Sequence, residues 1–355
     1  MARLIFRHLA QTVLAVWALA SAVFLLSRHD LGAAAQLASA EAAELNGAQA
    51  ATPAAARAAQ EAVSHRFGLD LPIFYASSVP VSDAGPLQWH WHGTRNQYHR
   101  WAMGLLRGDL GTSFRTGQPV AARLRYALSF TLPLTGTAAA LAALAALVLA
   151  QRLAAQPWWQ RPARVALATA HALPLFVVAL VLLLVFANPE VVAWFPAYGL
   201  DQPTGADVGA GSRLLTYLAH LALPVAALTL TALPGLTLQL DAALTRELRT
   251  DYATTARAKG LSEPAVIRHH ALRNALLPAI TEFTELLPAL VAGAVVVEVV
   301  FALPGMGRLL AEAAATRDYP VLVGGVLLTG AARLLALLLA DVLYLWADPR
   351  IRWQA

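Results

Sequence analysis

Six apolar runs, each long enough to cross a bilayer as a helix, dominate this sequence: Leu9–Ser27, Leu128–Ala150, Val165–Ala187, Leu214–Leu240, Leu276–Leu303 and Val321–Ala347. A hydrocarbon core of about 30 Å takes about 20 apolar residues in helix. Only 13% of residues are charged and the mean hydropathy is +0.56. A soluble domain typically carries about a quarter charged residues, so this chain cannot cover itself with a water-facing surface. The pattern predicts an all-α polytopic membrane protein with six transmembrane helices. Arg3 and Arg7 ahead of the first run would also suit a signal peptide. That run is longer than a usual signal core and lacks a compelling small-residue cleavage site, so an uncleaved anchor is expected.

The basic residues set the orientation. Arg3 and Arg7, Arg152, Arg161 and Arg164, the group Arg246, Arg249, Arg257, Lys259, Arg268 and Arg273, and finally Arg350 and Arg352 all fall on one side of the six runs. The positive-inside rule makes that side cytoplasmic and puts both termini inside. The expected organisation is a cytoplasmic N-terminus and first helix (1–27), a long periplasmic segment (28–127), a transmembrane core (128–347) and a cytoplasmic tail (348–355). Within the core, 241–275 is a cytoplasmic loop. The Ala-rich stretch Ala33–Gln60 predicts surface helix. Prolines inside the runs, at 133, 174, 224, 234 and 288, predict bent helices. The formal charge of +5 is spread between apolar runs and forms no nucleic-acid patch, and the lack of cysteine excludes disulfides and thiolate chemistry.

The loop after the fourth run reads DYATTARAKGLSEPAVIRHHALRNALLPAIT from Asp251. It predicts two helices and a turn. Gly260 suits a helix terminator because it enters the left-handed region freely. Ser262 suits an N-cap, with Glu263 and Pro264 in the first turn. Ala253, Ala256 and Gly260 recur at helical spacing and make a face with little side-chain bulk. Two readings fit: insertion of that smooth face into a groove on a partner protein, or an amphipathic connector lying on anionic lipid.

This segment resembles the EAA loop of ABC importer permeases, in the form used by the dipeptide, oligopeptide and nickel transport family. Asp251, Tyr252, Thr255, Ala256, Arg257, Ala258, Lys259, Gly260 and Leu261 follow its pattern, and so does the run from His270 to Pro278. RGDLGTSFRTGQPV from Arg107, EVVFALPGMGRL from Glu298, RDYP from Arg317 and DVLYLWADPRIR from Asp341 are similar to further family segments in the same order. The likeness is poor over 29–65 and 188–213.

The resemblance implies a type I ABC importer permease fold in a bacterial inner membrane. It implies two ATPase subunits as partners, a second permease subunit (usually a paralogue) and a periplasmic or lipid-anchored substrate-binding protein. Peptides are the commonest cargo in the family, and nickel and other small solutes also occur. ATP and Mg would be bound by the partner chains. This chain holds one lysine, Lys259, between Ala258 and Gly260, so it has no GxxxxGK[ST] loop of its own and no expected cofactor or catalytic residue. The residues expected at the ATPase contact are Ala256 and Gly260 for close approach, with Asp251, Arg257 and Lys259 around them. Pro304, Gly305 and Gly307 shape either an outer gate or a plain turn.

Ionisable residues inside apolar runs face cavities or each other. Here they are Glu282, Glu285, Glu298, Arg333 and Asp341. Glu285 and Arg333 fit either a structural ion pair or a contact to charged substrate. His90 and His92 in WHWH could converge on a metal only from an extended segment, and lack an adjacent carboxylate. Interfacial Trp and His account for them more simply, so no metal site is assigned. An intramembrane protease is disfavoured because no GxSx motif faces His171 or His220. A channel or secondary transporter would not need the loop.

Overall fold

The computed structural model describes residues 10–26, 71–80, 87–155, 157–197, 210–277, 280 and 295–347, without side-chain detail at 78–87, 157, 210 and 340–347. The described chain is helical apart from one antiparallel hairpin. The elements are α1 (Ala10–Leu26), β1 (Ala76–Pro80), β2 (Leu87–Trp91), α2 (Gln97–Leu106), α3 (Val120–Ala155), α4 (Pro157–His171), α5 (Leu175–Phe186) and α6 (Ala210–Glu247). There follow α7 (Asp251–Ala258), α8 (Glu263–Val266), a π turn (Ile267–Ala271), α9 (272–277), α10 (Val295–Val300), α11 (Met306–Ala315) and α12 (Tyr319–Ala347). They fall into two compact units. One comprises 126–309 with the chain from 328 onward, and the other comprises 13–125 with 310–327.

In the first unit, α3 turns small residues toward protein and large ones outward along much of its length. Along α3, Ala138, Ala142, Ala146 and Ala150 recur every fourth residue and are buried, whereas Leu141, Leu144 and Val148 are exposed. That is the inverse of a soluble helix. Lipid solvates leucine as well as a protein core does, so close backbone approach, which alanine permits, decides which face packs inward. Ala179 and Leu183 of α5, Leu221 and Ala227 of α6, and Val297 with Phe301 share one core with Leu134.

Among the described residues three helices have the length and hydropathy to cross a bilayer: Val120–Ala155, Gly211–Glu247 and Tyr319–Leu339. The third expected run, Val165–Ala187, is not one straight helix. It breaks between His171 and Leu175, and the two pieces are bent by 95°. Pro174 is the cause: it has no N–H to donate and its ring disfavours helical backbone at Leu173. Its ψ of 141° makes it the N-cap of α5. The bent pair counts as a fourth crossing only when taken together. Pro133, Pro224 and Pro234, by contrast, lie inside unbroken helices. α1 is apolar but shorter than these spans, and most of the expected fifth run lies outside the described residues, as do Pro288, Ala33–Gln60, Arg3, Arg7 and the tail.

The second unit holds the hairpin, which no sequence pattern announced. β1 and β2 pair from Ala76↔Trp91 to Pro80↔Leu87. Helix α2 follows, capped by Asn96, whose side chain accepts from the His99 N–H.

Candidate functional site

The segment from Asp251 to Ile280 forms a tight helical hairpin, described except at 278 and 279. Helix α6 runs past the expected span end at Leu240 to Glu247, so the loop proper begins later than position 241. Helix α7 ends at Ala258, and Gly260 takes a φ of +82°. The Leu261 N–H donates to the Ala256 carbonyl at 3.3 Å and the Gly260 N–H to the Arg257 carbonyl at 2.9 Å. This pair of bonds is a Schellman termination, satisfying carbonyls that the helix end would otherwise leave open.

Of the smooth face, Ala253 and Ala256 turn inward onto the loop itself, and Gly260 stays exposed. Ala253 is 0% and Ala256 4% exposed, and they form a small core with Val266, flanked by Leu248, Tyr252 and Leu261. Small side chains are needed because α8 folds back directly onto α7. What remains outward is polar or flat: Asp251, Thr254, Thr255, Ala258, Lys259 and Gly260 are exposed. A Cβ built at Gly260 meets nothing within 4 Å. Ser262 holds the N-cap position of α8 with extended backbone, but its side chain makes no capping bond.

Polar groups brace the hairpin. Arg257 donates to both carboxylate oxygens of Glu263, at 2.7 and 2.9 Å, and to the Leu248 carbonyl at 2.9 Å. The Arg257 guanidinium holds the Glu263 carboxyl below its ordinary range by hydrogen bonding, against the opposing effect of burial. The Tyr252 hydroxyl donates to Glu247 at 2.5 Å, and Asn274 reaches both groups at 3.3 Å. Burial, followed by the bond to Glu247, pushes the Tyr252 phenol up. Arg257 is therefore engaged within the loop. Glu247 and Asn274 were not singled out from sequence, although Asn274 stands in the run from His270 to Pro278.

Behind the loop, Ala271 and Ala275 pack with Ala150 of α3 and Leu240, Ala243 and Leu244 of α6. Asp241, 3% exposed, accepts from Arg164 Nε at 2.6 Å and Nη2 at 3.2 Å. Helix α6, which leads into the loop, is thereby tied to α4 by a two-point ion pair. In the sequence Arg164 stands out only as a topology marker, and Asp241 carries no signal of its own.

Of the second group of expected residues, Pro304, Gly305 and Gly307, Gly305 lies against a buried carboxylate. Glu298 is 0% exposed. Its Oε1 accepts from Thr131 Oγ1 at 2.7 Å and its Oε2 from the Arg308 N–H at 2.9 Å, while Thr131 Oγ1 accepts from the Met306 N–H at 2.7 Å. Glu298 and Thr131 thus cap the N-terminus of α11, where open N–H groups and the helix dipole favour an anion. A Cβ at Gly305 would overlap the Glu298 carboxylate, and one at Gly307 would come within 2.7 Å of Val295 Cα. Both glycines are required by packing.

Arg333 is exposed on α12, the Asp341 side chain is not among those described, and Glu282 and Glu285 lie outside the described residues. In the second unit, segments singled out separately do meet: Asp318 of RDYP accepts from Ser113 Oγ at 2.5 Å, the Phe114 N–H at 3.0 Å and Arg123 at 3.0 Å. His92 bonds Ser77 at 2.8 Å and His99 meets the Tyr75 hydroxyl at 3.1 Å. Among the described residues no three His, Asp or Glu side chains are grouped to hold a metal ion.

Long apolar helices, with a braced polar hairpin following one of them, define a helical membrane protein. The chain belongs to the family of binding-protein-dependent transport system inner membrane components, whose pattern it matches over residues 138–353. It is 33% identical over 260 residues to the oligopeptide transport system permease protein AppB of Bacillus subtilis, covering 72% of this chain and 80% of the relative. It is 35% identical over 272 residues to the probable D,D-dipeptide transport system permease protein DdpB of Escherichia coli, covering 72% and 79%. To the dipeptide transport system permease protein DppB of Alkalihalophilus pseudofirmus it is 32% identical over 274 residues, covering 72% and 81%.

Proposed function

We propose that this chain is the permease subunit of an ATP-driven importer for peptides or a chemically related small solute, and that the hairpin from Asp251 to Ile280 is where ATPase subunits dock. The observation that carries the reading is the bracing of the hairpin. Its turn, its own small core and the Arg257–Glu263 and Tyr252–Glu247 bonds make it a stiff lever, joined through α6 and the Arg164–Asp241 pair to the helices behind it. A lever transmits displacement only if it does not bend, and a lipid-lying connector has no need of such bracing. The names of its relatives support peptide cargo. The exposed tip (Asp251, Thr254, Thr255, Lys259 and Gly260) would meet the ATPase, Ala256 would set the turn from within, and Leu261 would close the small core.

The subunit would pair with a second permease, work beneath a substrate-binding protein and present both termini to the cytoplasm. Closure of the ATPase pair on ATP would move the hairpin and switch the central path between its two openings. The chain supplies no nucleotide site of its own. Co-expression with candidate ATPase and binding-protein chains tests the reading. ATPase chains should co-purify with the full chain, and Lys259→Glu should weaken that capture while leaving membrane insertion intact. A chain that moves solute across vesicles without any ATPase would overturn it.

A further inference from the structure

We propose that the hairpin β1–β2 and helix α2 form a membrane-embedded module, with α2 in the outer hydrocarbon beside α1 and the hairpin at the headgroup level, and are not a free aqueous domain. The argument begins with α1. Val13, Leu14, Leu19, Leu25 and Leu26 expose large apolar side chains along it, as a lipid-facing helix does. Trp101 of α2 packs on Phe24 with ring centroids 4.7 Å apart and on Trp17 at 5.8 Å. Trp17 lies in the middle of α1, about 13 Å along the axis from Leu26. Half the hydrocarbon layer is about 15 Å deep. A helix touching both Trp17 and Phe24 therefore lies at bilayer depth when α1 crosses the membrane.

The polar atoms at this contact are paired internally, as a low-dielectric setting demands. Tyr98 Oη accepts from Trp17 Nε1 at 3.2 Å and bonds Ser21 at 2.8 Å. The hairpin continues from α2 through Phe74, whose ring lies 5.1 Å from that of Tyr98. Two strands leave open edges whose N–H and C=O groups need water or headgroups, so the hairpin's level is the interface, not the hydrocarbon. Trp89 and Trp91 fall on one face of β2 by strand alternation and are 75% and 76% exposed. Tryptophan at this level is the commonest interfacial anchor.

On α2, Met103 and Leu106 expose apolar surface while Arg100 and Arg107 flank Met103 at helical spacing. Apolar stems with guanidinium heads suit an anionic headgroup layer, with the stems in the acyl boundary and the charges on phosphate. The occupant this surface fits is thus a lipid leaflet. The inference rests on α1 crossing the bilayer and is independent of the transport reading.

The absence of native cysteine makes the test direct. Spin labels are attached to the full chain through Trp89→Cys, His90→Cys, Met103→Cys and Leu106→Cys, one at a time, in vesicles of phosphatidylethanolamine and phosphatidylglycerol. Labels at 89, 103 and 106 should collide several-fold more with oxygen than with a water-soluble nickel complex, and the label at 90 should reverse that ratio. Nickel-dominated collisions at 89 and 103 would overturn the proposal. Low collision with both reagents would also overturn it, by showing a protein cover. These positions are exposed, so labelling leaves the packing intact, and Leu106→Cys repeats the test if Trp89→Cys fails to insert.

Discussion

The Glu298 carboxylate lies against the Cα of Gly305, in the space that any larger residue's Cβ would need. The pair explains the PGMG turn without invoking a gate: glycine admits the carboxylate, and the carboxylate caps α11. Gly305→Ala should lower the thermal midpoint of the purified chain by an amount equivalent to roughly 1–3 kcal/mol of overpacking. Glu298→Gln should cost about the same, because an amide offers one acceptor where two donors, Thr131 Oγ1 and the Arg308 N–H, require two. Both are read by unfolding in detergent. Full stability of Glu298→Gln with lost transport would make Glu298 a substrate contact instead.

The left-handed turn at Gly260 separates backbone geometry from bulk. No atom lies within 4 Å of a Cβ built there, so a larger side chain is refused only by its φ of +82°. Gly260→Val should destabilise the turn by roughly 1–2 kcal/mol and uncouple ATP hydrolysis from uptake. Gly260→Asn, which tolerates this region, should retain most coupling. If Asn and Val fail equally in reconstituted uptake, the surface at Gly260 is in direct contact with the ATPase and space, not backbone, is limiting.

How far these features could be read from sequence follows from their range. Gly260 as a terminator and the apolar runs from Leu128, Leu214 and Val321 are local properties of a few residues, and they appear where the sequence places them. The inward turn of Ala253 and Ala256 was not legible. Small residues at helical spacing serve close approach equally to a partner or to the chain itself, and only the fold-back onto Val266 decides. Asp241, Thr131 and Asp318 were missed for the same reason: their partners, Arg164, Glu298 and Ser113, lie 77, 167 and 205 residues away. Pro174 breaks its helix whereas Pro133 and Pro234 do not.

The Arg257–Glu263 pair predicts a pH dependence of defined sign. The folded loop holds the Glu263 carboxyl below its ordinary value of 4.5. Its contribution is therefore complete above that value and is lost as pH falls through the lower, folded one. Both side chains are more than a third exposed, so solvent screening limits the effect to roughly 0.2–1 kcal/mol. Hydrogen exchange of the loop amides should quicken below about pH 4.5 relative to the rest of the chain, and Glu263→Gln should remove that difference.

The ion pair between α4 and α6 gives the sharpest test of the lever. Asp241 is almost fully buried and Arg164 only partly, so the two substitutions are not equivalent. Arg164→Ala leaves a buried carboxylate without its guanidinium partner, and should destabilise the chain by roughly 1–3 kcal/mol, more than Asp241→Ala, whose orphaned arginine can reach water. If the pair transmits motion from the docking hairpin, both variants should retain ATPase capture yet show hydrolysis that substrate no longer stimulates. The exchange Arg164→Asp with Asp241→Arg should restore part of that stimulation. Stimulated hydrolysis equal to wild type in both single variants would leave the pair a packing element only, and the path from hairpin to helices would run instead through Ala271, Ala275 and their contacts on α3.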